Sequence, residues 1–195
     1  CGLGPPALLT RLGTRVSDME TTSLAAVTVV GDDRPGIVSA VTRVLFELGC
    51  NLQDATSTIL SGHFAMMLIV GLPRDVDPAR VEVSLEEVRS DLDLVITARP
   101  VHEANLAFDE PTHLISVYGG DRPGIVYRVT EHLSGSGVNV TDLSSRVIGS
   151  AGNPVYALML EVSAPDGTDL EGDLADLKES LGVDITVNAI EPDIL

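Results

Sequence analysis

The sequence Asp-Arg-Pro-Gly-Ile-Val occurs twice in this chain, at Asp33–Val38 and again at Asp121–Val126. Each copy stands between a short apolar run and a helical pattern, so it is interpreted as a turn that opens a helix. The first backbone N–H groups of a helix have no partner within it, and they lie at the positive end of its dipole. Such a turn is a place where backbone amides can hold an anionic ligand.

The identity between the copies extends beyond the hexapeptide. With an offset of 88 positions, Asp33–Asp54 matches Asp121–Asp142 at 12 of 22 positions without a gap. Chance does not produce this match, so one supersecondary unit is present twice. A length of 195 residues and a hydrophobic content of 44% allow two small domains, each with a modest core.

The charge of the chain limits its partners. There are 29 acidic against 12 basic residues, a formal net charge of −17. Nucleic acids and anionic membrane surfaces repel such a protein, because both are bound through Lys and Arg. No stretch of the sequence reaches the roughly 20 unbroken apolar residues that span a bilayer. We therefore expect no direct binding to nucleic acid or to a membrane.

The two cysteines, Cys1 and Cys50, do not make a disulfide framework, so a reduced, cytoplasmic location is expected. Cys50 follows an apolar helical pattern and is interpreted as a small core residue, not as a reactive thiol. Residues 1–22 lie outside the repeat and are interpreted as an N-terminal tail.

In the first copy, β-branched and apolar runs alternate with helical patterns. Asp33 is expected as the N-cap of the first helix and Gly49 as its end, and Asp77 as the cap of the second. The continuous apolar run Phe64–Val70 predicts a central strand that is buried on both faces. The predicted elements are strand Leu24–Val30, a helix from Gly36, strands Leu52–Leu60 and Phe64–Val70, a helix containing Val81, Leu85 and Val88, and strand Leu94–Arg99.

The second copy repeats this order, with a longer hairpin at Ile148–Pro154. Its predicted elements are strand His113–Tyr118, helix Gly124–Leu133, strands Val138–Val147 and Val155–Val162, a helix carrying Leu170, Leu174, Leu177 and Leu181, and strand Val183–Ile190. The order βαββαβ in both copies predicts the α+β class with two ferredoxin-like units. The predicted domains are 23–101 and 113–195, joined by a linker at 102–112.

A βαββαβ unit with this hexapeptide after its first strand resembles the ACT domain, the small-molecule sensing module of amino-acid metabolism. Gly49-Cys50-Asn51 and Gly137-Val138-Asn139 match the Gly-x-Asn pattern at the entrance to its second strand. The resemblance extends over Ser23–Pro192, and the tandem pair is similar to the glycine cleavage system transcriptional repressors. It implies sheets joined side by side, helices on one face, and amino acids bound between units.

By that resemblance, the ligand-binding residues are those of the turn after the first strand and the Asn at the second-strand entrance. They are Asp32, Asp33, Arg34, Pro35, Gly36, Ile37 and Asn51 in the first unit, and Gly120, Asp121, Arg122, Pro123, Gly124, Ile125 and Asn139 in the second. An Asn amide both donates and accepts hydrogen bonds, which suits a zwitterion such as glycine or serine.

Simpler roles compete with ligand binding at these positions. Helix capping explains the Asp and Pro of each turn more readily than ligand contact does, and the Arg of each turn is as well explained by solvation or ion pairing. The copies also differ: Asp32 corresponds to Gly120, and Ser39 corresponds to Tyr127. Two non-equivalent sites are therefore expected.

No pattern points to catalysis, a cofactor or a metal. The histidines at positions 63, 102, 113 and 132 show no metal-ligand spacing, and no nucleophile motif or phosphate loop occurs. The acidic residues Glu82, Glu86 and Glu87 are expected on the polar side of a helix. The sequence therefore predicts a non-enzymatic sensor that passes a signal to a partner protein.

Two functions through a protein partner remain open, and an RNA-binding module is a less favoured third. The resemblance favours indirect transcriptional repression of glycine cleavage genes through a regulatory protein, and the alternative is a trans-acting regulatory subunit of an amino-acid biosynthetic enzyme. A homodimer is compatible with either. An RNA-binding RRM shares the βαββαβ order and stacks bases on sheet aromatics. Phe64 and Tyr156 occupy equivalent strand positions, but the acidic charge disfavours RNA.

Overall fold

The computed structural model describes residues 23–101, 110–150 and 153–190. The chain divides into two units, Cys1–Leu106 and Ala107–Leu195, which are described separately. The predicted tail at 1–22 and residues 102–109 of the predicted linker lie outside the described residues.

Both units contain the predicted βαββαβ order. Unit 1 comprises β1 (Ser23–Asp32), α1 (Ile37–Glu47), β2 (Asn51–Leu60), β3 (His63–Leu72), α2 (Pro78–Ser84), α3 (Glu86–Leu92) and β4 (Leu94–Val101). Unit 2 comprises β5 (His113–Gly120), α4 (Ile125–Gly135), β6 (Asn139–Ser150), β7 (Asn153–Ser163), α5 (Leu170–Leu181) and β8 (Val183–Ala189).

The strands of each unit form one antiparallel sheet, in the orders β2-β3-β1-β4 and β6-β7-β5-β8. This is the ferredoxin-like arrangement, so the predicted fold class is confirmed. The second hairpin is longer because its strands are longer: β6 and β7 have 12 and 11 residues, against 10 each in β2 and β3.

Helices cover one face of the sheet in unit 1. Along β3, Met66, Leu68 and Val70 are buried, whereas Met67 between them is 49% exposed. Successive strand residues point to opposite faces, so this alternation places only one face of β3 in the core. The predicted burial of this strand on both faces is therefore wrong, although the strand is central, between β1 and β2.

Helix α1 contacts the sheet through Ile37, Val41 and Leu45, which are all buried. It ends as predicted, with Gly49 at φ 75° directly after the C-cap residue. Glycine adopts this left-handed conformation at little cost. Burial raises the pKa of the neighbouring Cys50 thiol, which supports its interpretation as a packing residue.

The second helical segment of unit 1 begins as predicted, but it is interrupted. The Asp77 side chain caps it by accepting from the Arg80 N–H at 2.7 Å. The predicted single helix is divided at Leu85, where ψ is 0° and the N–H lies 3.0 Å from the Val81 carbonyl and 3.2 Å from that of Glu82. Because Leu85 is fully buried, its side chain fixes this irregular turn in the core.

Glu82 has a structural role that its place on the polar side of a helix did not predict. Its Oε1 accepts a hydrogen bond from the backbone N–H of Ala98 at 2.6 Å. Ala98 belongs to β4, which pairs only with β1 among the described strands and therefore lies at the edge of the sheet. The carboxylate therefore satisfies a backbone donor of the sheet edge.

Replacing Glu82 by Ala is expected to lower the free energy of unfolding of unit 1 by about 1–3 kcal/mol, because the part-buried Ala98 N–H loses a charged acceptor. Urea unfolding of the full chain measures the change. Glu87→Ala, on the exposed side of α3, is the control and should change stability by less than about 0.5 kcal/mol. Equal stabilities of the two variants would contradict the structural role of Glu82.

Candidate functional site

The turn after β1 ends in a glycine that begins α1. Gly36 is the N-cap, with a left-handed φ of 101°, and no side chain caps the helix. The Ala40 N–H donates to the Gly36 carbonyl at 2.9 Å. The N–H groups of Ile37, Val38 and Ser39 precede this bond and have no carbonyl partner within the helix. The turn therefore presents backbone donors at the positive end of the helix dipole.

The corresponding turn of unit 2 has the same geometry. Gly124 is the N-cap of α4 with φ 95°, again without a capping side chain, and its carbonyl accepts from the Arg128 N–H at 3.0 Å. The prediction that Asp33 and Asp121 cap these helices is therefore wrong. The left-handed glycine places the helix start three residues after the Asp. The backbone N–H of Asp33 donates to the Gly62 carbonyl of the β2–β3 turn at 2.8 Å.

The glycine at the end of each first strand has a packing role. A Cβ on Gly31 would lie 2.6 Å from Leu94 Cδ2, and one on Gly119 would lie 2.6 Å from Val183 Cγ1. Both distances are shorter than van der Waals contact, so a side chain at either position would require the Leu94 or Val183 side chain on the neighbouring strand to move. Packing therefore explains why both copies have glycine at this position, and contact with a ligand is not needed to explain it.

The two turns differ in charge. In unit 1, Asp32 lies 3.1 Å from His63 Nδ1, with both side chains exposed. In unit 2, a Cβ on Gly120 would lie 3.9 Å from Arg122 Nε, so the guanidinium lies beside the turn. Each turn also carries one Asp and one Arg, so the first turn has one more carboxylate than the second, next to a histidine. A ligand carboxylate is favoured electrostatically at the second turn.

Neither unit alone brings its turn and its predicted Asn together. Asp32 pairs with His63 at one end of β3, whereas Asn51 pairs with Gly71 near the other end. The eight residue steps from His63 to Gly71 span about 27 Å of antiparallel strand. The turn and Asn51 are therefore too far apart in unit 1 to contact one amino acid.

In unit 2, a groove runs along α4 from its first turn towards Asn139. Its volume is about 590 Å³. Its lining includes the side chains or backbone of Tyr127, Thr130, Glu131, Ser134, Asn139 and Leu143. Tyr127 is the third residue of α4, so one end of the groove is adjacent to the uncapped helix start. Hydroxyl, carboxylate and amide groups in this groove can accept hydrogen bonds from an ammonium group.

Tyr127 and Glu131 are coupled within this groove. The Tyr127 hydroxyl donates to Glu131 Oε1 at 2.5 Å, and this hydrogen bond is the main cause of the raised pKa of Tyr127. Tyr127 was expected as a difference between the copies, whereas Glu131 was missed. Their spacing of four residues places both on one side of a helix, which is the sequence pattern that could have indicated the pair.

The two predicted aromatic residues, Phe64 and Tyr156, do not form the exposed sheet platform that an RRM requires. Phe64 is 6% exposed and belongs to the core of unit 1, and Tyr156 is half-buried against the core of unit 2. Both residues face the helices of their unit. Bases have no access to them on the open side of the sheet.

The described residues contain neither a helix long and apolar enough to cross a membrane nor a cluster of three or more His, Cys, Asp and Glu side chains able to hold a metal ion.

Comparison with known proteins identifies the family of this fold. The ACT domain model matches the chain twice, at residues 23–99 and 112–188. These matches cover most of the chain, so the chain belongs to the ACT domain family. The ACT resemblance drawn from the repeated turn is confirmed.

The chain is similar to several curated proteins and to solved structures. The chain is 28% identical over 143 residues to the glycine cleavage system transcriptional repressor of Escherichia coli K12, covering 71% of this chain and 72% of that protein. It is 36% identical over 83 residues to a UPF0237 protein of Methanopyrus kandleri, covering 41% of this chain and 92% of that one. A solved structure of an unknown protein from Galdieria sulphuraria superposes with a TM-score of 0.74 at 26% identity, covering 87% of this chain and 99% of that one.

Proposed function

We propose that this ACT protein is a non-enzymatic sensor that binds a small amino acid at an interface between ACT units and controls a partner protein. The observation that supports this most strongly is the pair of helix starts that begin with a left-handed glycine and have no capping side chain. Their backbone donors are suited to the carboxylate of an amino acid. Glycine and serine, which need little space beyond the zwitterion, are the proposed ligands.

The positions of Asn51 and Asn139 support a site shared between ACT units. Each Asn lies at the far end of its own unit from the turn that would bind the carboxylate. A single amino acid can contact a turn and an Asn only if they come from different ACT units. The groove beside Asn139 supplies hydroxyl and carboxylate acceptors for the ammonium group.

The proposed partner is a protein, and the proposed output is indirect repression of glycine cleavage genes. Similarity to the Escherichia coli repressor supports this output. A net charge of −17 argues against direct contact with DNA. Affinity purification of the tagged chain should recover a DNA-binding transcription factor, and binding of the two purified proteins should change with amino acid. Reproducible recovery of a biosynthetic enzyme instead would favour the alternative, a trans-acting regulatory subunit.

Asn139→Ala is expected to weaken amino-acid binding by about tenfold, the loss of a hydrogen bond to a charged ligand, whereas Asn51→Ala should weaken it less. The difference arises because Asn139 borders a polar groove that is also lined by Tyr127, Glu131 and Ser134. At the position that corresponds to Ser134, unit 1 has Phe46, an apolar side chain that is 81% exposed. Isothermal titration calorimetry on both variants and on wild type measures the change. Equal losses from the two variants would contradict two non-equivalent sites.

A further inference from the structure

Among the described helices of unit 1, none lies over the second face of its sheet. Strand register identifies the side chains on this face, because directly paired residues of neighbouring strands point the same way. Its two middle rows consist of Val95, Val30, Ala65 and Thr58, and of Thr97, Thr28, Met67 and Thr56. Three of the four apolar members are well exposed: Val30 by 42%, Met67 by 49% and Val95 by 66%. We call this whole side of the sheet the open face, and its two middle rows form a continuous uncharged patch.

The absence of charge from the middle of the open face is unusual for this chain. Charged residues make up 21% of the sequence, and the net charge is −17. The four ionisable side chains that the described strands place on this face lie in its two outer rows. Arg99 and Asp54 occupy one row, and Asp32 and His63 occupy the other. An uncharged centre with polar groups at the rim is typical of protein interfaces.

The outer rows are arranged so that the face is complementary to itself. Arg99 lies on edge strand β4, and Asp54 lies in the same row on the opposite edge strand, β2. A two-fold axis parallel to the strands places β4 of one copy over β2 of the other. Each Arg99 then faces the Asp54 of the other copy, at both edges of the interface.

The second outer row obeys the same symmetry. Asp32 is on β1 and His63 is on β3, and these two central strands exchange places under the same axis. Asp32 of one copy therefore faces His63 of the other. The side chains of Val30 and Met67 meet the uncharged centre of the second sheet. Aligned packing of two sheets within about 30° is a common way to bury such faces.

We propose that the open face of unit 1 binds the open face of unit 1 in a second copy of this chain. The positions of Arg99 and Asp54 favour a second copy over an unrelated protein. In an isologous contact residue i of one copy faces residue j of the other and the reverse, so a charged pair attracts at both places only if the two residues have opposite charges. With its outer rows, the open face spans three strand spacings, about 14 Å, and three row intervals, about 20 Å. A footprint of about 280 Å² per copy is smaller than that of standard specific interfaces, so the dimer should be weak and should dissociate on dilution through the micromolar range.

Sedimentation velocity of the full chain without added amino acid tests this proposal, over about 1 μM to about 1 mM. Wild type should pass from monomer to dimer in this range. Arg99→Asp and Asp54→Arg should each weaken the dimer by about tenfold or more, because each places like charges opposite one another. The double variant Arg99→Asp/Asp54→Arg restores opposite charges and should regain most of the wild-type affinity.

A second pair of variants keeps the test decisive if a charge-reversed chain folds poorly. Met67→Lys puts a charge at the centre of the open face and should leave the chain monomeric. Val83→Lys, at a 76% exposed position on α2, adds the same charge away from the face and should leave the dimer unchanged. Monomeric wild type at all concentrations, or a dimer that Met67→Lys does not weaken, would overturn the proposal. Since no amino acid is present, this outcome is independent of ligand binding.

Discussion

Ser39→Asp is expected to weaken amino-acid binding by about tenfold while leaving the unfolding free energy of unit 1 unchanged or higher. Ser39 is the third residue of α1, where no side chain caps the helix, and its own hydroxyl donates to the Gly36 carbonyl at 2.9 Å. A carboxylate at this position interacts favourably with the helix dipole and the free N–H groups. It therefore stabilises the helix and competes with the ligand carboxylate for the same donors. Calorimetric titration and thermal unfolding of the same samples separate the two effects.

Thr42→Asp is the matched control for this prediction. Thr42 lies one turn further along α1 and donates to the Val38 carbonyl at 2.7 Å, away from the free N–H groups. The same charge there should leave binding within about twofold of wild type, because the interaction with a helix terminus falls off within one turn. Similar losses from Ser39→Asp and Thr42→Asp would indicate a general charge effect and would contradict a carboxylate site at the helix start.

The corresponding change in unit 2 is Tyr127→Asp, and it should also weaken binding by about tenfold or more, since the cationic Arg122 lies beside this turn. Tyr127→Asp also removes the hydrogen bond to Glu131, so Tyr127→Phe is needed as a separate control. If Tyr127→Phe reduces affinity as much as Tyr127→Asp, loss of the hydroxyl accounts for the whole effect, and Tyr127→Asp gives no support for a carboxylate site at the helix start of unit 2.

Gly31→Ala and Gly119→Ala are expected to destabilise their units by about 1–3 kcal/mol each, the usual cost of overpacking. The added methyl group would lie 2.6 Å from a side-chain carbon of Leu94 in one case and of Val183 in the other. Leu94 and Val183 are 5% and 6% exposed, so neither can move into solvent. For a unit of this size, 1 kcal/mol corresponds to a change in Tm of about 4–8 °C. Differential scanning calorimetry of the full chain measures the change.

Gly135→Ala serves as the control for the glycine variants. Gly135 is the last residue of α4, and a Cβ there would have no heavy atom within 4 Å. Alanine is the better helix former, so this variant should be as stable as wild type or more stable by up to about 1 kcal/mol. Wild-type stability in Gly31→Ala and Gly119→Ala would show that the neighbouring strands relax, and the close approach would no longer explain the repeated glycine.

Much of the fold was predictable because its determinants are local. The buried spacing of Ile37, Val41 and Leu45 fixes one helix, and Gly49 fixes its end through a conformation that glycine favours. Asp77 caps the next helix within three residues of sequence. Repetition of the same pattern in the second half then made the βαββαβ order secure.

The remaining features depend on contacts between distant residues. Glu82 binds the N–H of Ala98, 16 residues away, and a polar helix position gives no indication of such a partner. At the helix start, both Asp33 and Gly36 are acceptable N-caps by residue type, and the backbone conformation decides in favour of glycine. The distance between the turn and Asn51 follows from strand direction and length, which a short motif does not contain.

Calorimetric titration of the full chain with glycine, serine and the other standard amino acids tests the central claim most directly. We predict saturable binding of a small amino acid, two classes of site with different affinities, and loss of one class in Ser39→Asp or Tyr127→Asp. Neither binding heat nor thermal stabilisation with any standard amino acid would contradict the proposed sensor. The ACT pair would then be better explained as a module that binds only its partner protein.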